Sequence, residues 1–352
     1  MNQTTRRLDY LDAARGIGLL LVIYGHTFRD SMRAAAAWCD FSYVLVYRFH
    51  VSLLFLLSGM GYALAARHSS LPAGPFVRKK ARALLLPWFS YSVLIYLAFW
   101  LVQLVPSVRA LLAGSAYQLL SPAQYAGLLL RNENPYSFHL WYLPTLFWFT
   151  LAAWALDHLP APAQAKAAKL ALCLLLPGCY TLFCARWVWA LKSIFQQGVF
   201  FFLGCVFPSE TLERRAVPLA LLGTGCGAVI LLELLYPPAA LYSTAGLGFV
   251  LSWADFYITA GLCLGILAAC FLLRSRLQPL ARFGRGTMLF YLYHQPFCCA
   301  VLGMLLYDVC GLPAFATVAI CMAAGLAVPW CIHKAAGPLR LQSILHRLGL
   351  PT

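Results

Sequence analysis

The chain is 352 residues long, 62% of them hydrophobic and only 11% charged, with a mean hydropathy of +0.76. Soluble domains carry about 25% charged residues, so a water-soluble fold is excluded, and no polar stretch is long enough to fold apart from the rest. The formal net charge of +15 reads as basic loops gathered on one side of a bilayer and in contact with its lipid headgroups; no nucleic-acid partner is expected.

At about 20 apolar residues per span, the sequence divides into ten apolar segments, near 8–28, 41–66, 83–105, 138–157, 167–184, 193–208, 216–236, 255–273, 286–306 and 312–333. The expected fold class is all-α: one polytopic membrane domain over 1–352 with about ten transmembrane helices. The first segment follows Arg6-Arg7 and precedes Ala34-Ala35-Ala36-Ala37, which imitates a signal peptide. Asp12, Arg15 and His26 lie inside its would-be apolar core, so it is expected to persist as a helix. The break at 106–137 holds Pro106, Pro122, Pro135 and the run Arg131-Asn132-Glu133-Asn134, and reads as a loop with one surface helix.

A cytoplasmic N-terminus collects eighteen basic residues on the inner side, among them Arg6, Arg7, Arg67, Arg78, Lys79, Lys80, Arg82, Arg340 and Arg347. Only Arg29, Arg33, Arg109, Arg131, Arg186 and Lys192 remain outside. That bias puts both termini in the cytoplasm, and an odd number of spans would destroy it. The thirteen cysteines fall mostly within apolar runs, without a C-x-x-C pair or zinc-like spacing. They read as small packing residues, with no disulfide framework and no metal expected.

An ionisable side chain at membrane depth is costly unless it is paired or faces a wet cavity. Arg15 and His26 are eleven residues apart, close to three helical turns, which puts them on one face about 16 Å apart along the axis. Asp12, one turn before Arg15, is expected to pair with it. The second segment carries Arg48-Phe49-His50 near its outer end and Leu57-Ser58-Gly59 deeper, so His50 falls near the level of His26. His139 and Trp141 open the fourth segment, and His294 lies mid-way along the ninth, two residues before Pro296. Bland readings exist for several of these. His139 and Trp141 suit interface anchors, His294 suits carbonyls freed by Pro296, and Arg78-Lys79-Lys80-Arg82 suits a topology determinant. Arg15 and His26 have no such reading, because neither lies at a boundary.

These residues resemble the membrane acyltransferase family 3, and within it the sugar O-acetylase branch of fucose 4-O-acetylase-like proteins. Leu11-Asp12, Arg15-Gly16 and the later His26 look like the family's first helix. Phe49-His50 through Ser58-Gly59 is similar to its F-H-x-x-x-F-x-x-S-G pattern, with one residue more between the Phe pair. Arg82 through Pro87, Leu140-Trp141-Tyr142-Leu143, and Gly284 through the Tyr291-to-His294 string resemble its later motifs.

The resemblance implies a multi-pass enzyme of the bacterial inner membrane that requires Arg15 and His26. It would move an acyl group, acetyl in this branch, from cytoplasmic acyl-CoA to a hydroxyl of a sugar or lipid-linked glycan. Acetyl-CoA would be the donor co-substrate, with no metal. The polyanionic nucleotide of CoA is expected to stay near Arg78, Lys79, Lys80 and Arg82. His26 is expected to act as general base or to carry an acyl-histidine, and both routes stay open. His50, Ser58 and His294 are candidate oxyanion donors or substrate contacts, while His139 and Trp141, with Tyr136 and Tyr142, face the acceptor. A transporter of a small solute or glycan is the alternative; its usual inverted repeat is not visible, since the ionisable residues do not recur in the second half. A sensory or lipid-binding module ranks behind both.

Overall fold

The computed structural model describes residues 8–66, 71–115, 117–183, 189–236, 246–338 and 341–351, and among them every regular element is helical. Arg6, Arg7, Arg67, Arg186 and Arg340, counted in the charge bias, lie outside the described residues. Helices follow from the composition: in hydrocarbon each backbone N–H and C=O needs a partner within its own segment.

The principal helices are α1 (Asp9–Gly25), α2 (Ala37–Ala66), α3 (Ala73–Val102), α4 (Tyr142–Asp157), α5 (Pro162–Phe183) and α6 (Trp189–Val206). They continue with α7 (Ala216–Leu235), α8 (Gly246–Leu272), α9 (Gln278–Arg285), α10 (Thr287–Tyr293), α11 (Phe297–Val309) and α12 (Ala314–Ala336). Six of them, α2, α3, α5, α7, α8 and α12, are long and apolar enough to cross a membrane. The α10–α11 pair adds a seventh if its 51° bend lies within one span. Helices also occupy the other predicted segments, but they are short: α1 has 17 residues and α4 has 16.

Boundaries differ where polar residues occupy a helix's first turns and an apolar window rejects them. Thus α3 begins at Ala73 rather than 83, so Arg78, Lys79, Lys80 and Arg82 sit on the helix and not before it. The 106–137 break contains two short helices, Pro106–Leu112 and Pro122–Leu130, where one was expected. Proline opens each, where its missing N–H costs nothing, and Ser121 with Gln124 closes a capping box on the second.

Small residues bring backbones together, as expected for helices that gain little hydrophobic energy from meeting in lipid. A Cβ on Gly204 of α6 would fall 2.1 Å from the Leu56 carbonyl oxygen of α2. One on Gly284 of α9 would fall 1.8 Å from the Asp12 carbonyl oxygen of α1. The α1–α9 crossing is then tied by Arg285, whose Nη2 donates to Asp9 Oδ1 at 2.8 Å. A three-helix ion cluster joins α2, α7 and α8: Arg48 donates to Glu233 Oε2 at 2.6 Å and to both oxygens of Asp255.

Candidate active site

His26 is the C-cap of α1, its N–H donating to Val22 O, and Thr27 Oγ1 closes the turn on Tyr24 O at 2.7 Å. Gly25 leaves room for the ring of Tyr47, which a Cβ there would approach to 2.9 Å. Tyr47 Oη consequently lies 3.5 Å from His26 Nδ1. Three residues further along α2, the His50 ring lies 4.8 Å from that of Tyr47. His50 Nδ1 donates to Val46 O at 2.7 Å, which makes Nε2 the acceptor nitrogen of its neutral ring.

His139 is positioned by its loop. Asn134 Oδ1 accepts from the N–H groups of Tyr136 and Ser137, each at 3.0 Å, while its Nδ2 donates to Ser92 Oγ of α3 at 3.0 Å. Tyr136 stacks on Phe99 of α3 with centroids 4.6 Å apart. The pinned loop enters a 3-10 turn, Phe138–Trp141, that carries His139, and Tyr291 Oη of α10 donates to the His139 carbonyl at 2.6 Å. His294 caps α10, with Nδ1 donating to Phe290 O at 2.9 Å.

Three imidazoles meet as a result. Ring centroids are 5.3 Å apart for His26 and His294, 4.9 Å for His139 and His294, and 6.1 Å for His26 and His139. Both ring nitrogens of His139 and the Nε2 of His294 are buried without a hydrogen-bond partner among the described residues. His26, His50, His139 and Trp141 line a cavity of about 670 Å³. Its walls add Tyr43, Tyr47, Tyr117 and Tyr136, the amides of Gln196, Gln197 and Gln295, and the Arg29–Asp308 ion pair at 2.6 Å. Among the described residues no three His, Cys, Asp or Glu side chains are arranged to hold a metal ion.

Residues 8–334 match the family model of the acyltransferase domain. The chain belongs to that family. With six long apolar helices, it is a multi-pass membrane acyltransferase. No curated relative and no solved structure matches it.

In this acyltransferase the fold lines one cavity with His26, His50, His139 and Trp141 and keeps the His294 ring within 5.3 Å of His26 and 4.9 Å of His139. Two other expected site residues are not brought there. Arg15 Nη1 donates to the buried Asp12 at 2.8 Å, as the one-turn spacing predicted, but Arg15 is not on the cavity wall. The shared helical face gives a direction without a hollow to fill it, because Leu19, Val22 and Ile23 pack the stretch of α1 between the two residues. Ser58 Oγ is paired instead with Tyr142 Oη at 2.8 Å, and Tyr142 Oη also reaches Leu54 O at 3.4 Å. Ser58 and Tyr142 therefore satisfy each other away from the cavity. Of the basic cluster, Arg78, Lys79 and Arg82 line a separate open recess of about 770 Å³, whereas Lys80 turns over the Phe76 ring at 5.6 Å.

The sequence reading of the acyltransferase missed Arg29, Asp308, Tyr47 and the three glutamines. It also passed over Glu233 and Asp255, although a signal existed: each is a carboxylate inside or beside an apolar segment of a chain with only 11 acidic residues. Such residues need a cation nearby, and among the described residues Arg48 donates to both.

Proposed function

We propose that this acyltransferase moves an acetyl group from cytoplasmic acetyl-CoA to a hydroxyl of a sugar or lipid-linked glycan, as a member of the sugar O-acetylase branch. One membrane domain with ten spans, both termini in the cytoplasm of a bacterial cell, fits the basic bias and the ten helical segments. A single observation carries the chemical reading: His26 lines a cavity whose other walls supply imidazole, tyrosine and amide groups. Aromatic faces with a few polar groups suit a sugar ring, and the arginine among the described residues of the wall, Arg29, is paired with Asp308.

In this reading the neutral imidazole of His26 takes the proton of the acceptor hydroxyl as its oxygen attacks the thioester carbonyl. The new C–O bond forms, the C–S bond breaks, and the proton passes to the departing CoA thiolate. In this reading the ring N–H of His139 stabilises the oxyanion, whereas His50, whose Nδ1–H is spent on Val46 O, accepts through Nε2 from the acceptor's hydroxyls. Arg15, beside Asp12 and off the cavity wall, is the candidate contact for the donor's inner phosphates. Arg78, Lys79 and Arg82 hold the nucleotide nearby. An acyl-histidine on His26 is the variant route.

The test is release of free CoA thiol by the purified enzyme from acetyl-CoA, with and without a panel of oligosaccharides, followed by mass spectrometry of the acceptor. Acceptor-dependent thiol release with an acetyl mass shift is expected. Vesicle uptake of the oligosaccharides without thiol release would return the chain to the transport reading.

A further inference from the structure

Residues 341–351 fold back on the end of the bundle where α1 begins. Leu350 is buried, Gly349 (φ +70°) lets the backbone lie against Leu86 and Pro87 of α3, and Tyr293 Oη of α10 donates to Pro351 O at 3.4 Å. This strap lies beyond the residues that match the acyltransferase domain, 8–334.

The strap closes a groove. Its His346 and Arg347 line a recess of about 420 Å³ together with Arg82 and Met288. Met288 and Pro351 also line the adjoining recess of about 550 Å³, whose cations are Arg282, Arg285 and Lys334. Of the arginines and lysine in the two recesses, only Arg285 has a carboxylate partner among the described residues, Asp9 at 2.8 Å. Loop charge on the cytoplasmic side accounts for the number of cations. It does not account for their convergence on one open groove walled in part by the 341–351 strap. Trp330, 54% exposed with Lys334 Nζ 5.6 Å from its ring centroid, and Phe290 add aromatic faces to the same walls.

We propose that this groove, completed by Arg347 of the strap, binds the phosphate-bearing nucleotide end of a CoA thioester. The proposal rests on the acyl-CoA donor reading above and assigns it a second wall, which meets the Arg78–Lys79 recess at Arg82. Guanidinium groups grip phosphate oxygens two at a time, and an exposed indole offers a face on which a purine stacks; a lipid headgroup would use the first and not the second. Arg285 Nε lies 3.6 Å from Asp12, and Asp12 is fourteen residues from His26, about 21 Å along α1 at the helical rise. An extended linear thioester arm is the kind of ligand that covers such a distance.

The experiment is equilibrium binding of coenzyme A, and separately of inorganic pyrophosphate, to the full-length enzyme in phosphatidylcholine nanodiscs. Arg347→Gln is expected to weaken coenzyme A binding at least tenfold, and Arg282→Gln with Lys334→Gln further still. Trp330→Ala is expected to weaken coenzyme A more than pyrophosphate. The substituted side chains are exposed, so elution profiles should match the wild type. Wild-type binding that survives all these substitutions overturns the groove while leaving the donor reading intact, and loss of co-purifying anionic lipid in those variants would identify a headgroup site instead. A wild type that binds no coenzyme A sinks both.

Discussion

The rings of His139 and His294 lie 4.9 Å apart at an interplanar angle of 66°, and between them leave three buried nitrogens without a hydrogen-bond partner among the described residues. An unsatisfied buried polar group costs about 1–3 kcal/mol. A fold that keeps three together beside a cavity carries a cost that a bound polar ligand relieves. His139→Phe should therefore keep or raise thermal stability in detergent while cutting the transfer rate at least tenfold. A parallel fall in both would make His139 a structural residue.

His26 carries the heavier demand. General base catalysis contributes about 10²–10⁴-fold, so His26→Ala is expected to lower acceptor-dependent CoA release by that factor with an unchanged gel-filtration profile. Near-normal turnover in this variant would remove His26 from the mechanism.

Arg15 stands apart from the cavity and beside Asp12, and its side chain remains 31% exposed. A planar guanidinium serves two acceptors at once, which a lysine ammonium cannot reproduce. Arg15→Lys is expected to lose at least tenfold in kcat/KM for the donor. Full activity would reduce Arg15 to a structural partner of Asp12.

The crossing of α1 and α9 admits no side chain at Gly284, where a Cβ would sit 1.8 Å from a carbonyl oxygen. Gly284→Ala should cost about 1–3 kcal/mol, as overpacking does, read as a lower unfolding temperature. Gly127→Ala is the control, since a Cβ there meets nothing within 4 Å.

Arg48 holds two carboxylates from different helices, with side-chain exposures of 20% for Glu233 and 11% for Asp255. Removing one partner of a buried ion cluster costs about 3–5 kcal/mol, whereas replacing all members with apolar residues is often neutral. Arg48→Leu should therefore leave little monodisperse protein after mild heating. The triple change with Glu233→Leu and Asp255→Leu should restore it, and a triple variant as unstable as the single would show that the cluster is not the cause.

The sequence by itself determined that the chain is helical and membrane-bound. In lipid the backbone has to satisfy itself locally, and a run of apolar residues declares that requirement without reference to anything distant. It also marked His26, His50, His139 and His294 as misplaced, because the cost of a polar group at depth is read one residue at a time. Only the tertiary structure decided which of them meet. His139 reaches the cluster through the Asn134 turn and the stack of Tyr136 on Phe99, and His294 through the break between α10 and α11. Arg15 and His26 show the limit most plainly: helical spacing sets their common direction, but the hollow opens only at the far end of α1, where α2, the 138–141 turn and α11 leave space. Cavities, ion clusters and the seat of the C-terminal strap depend on contacts between segments hundreds of residues apart, and local preference carries no record of them.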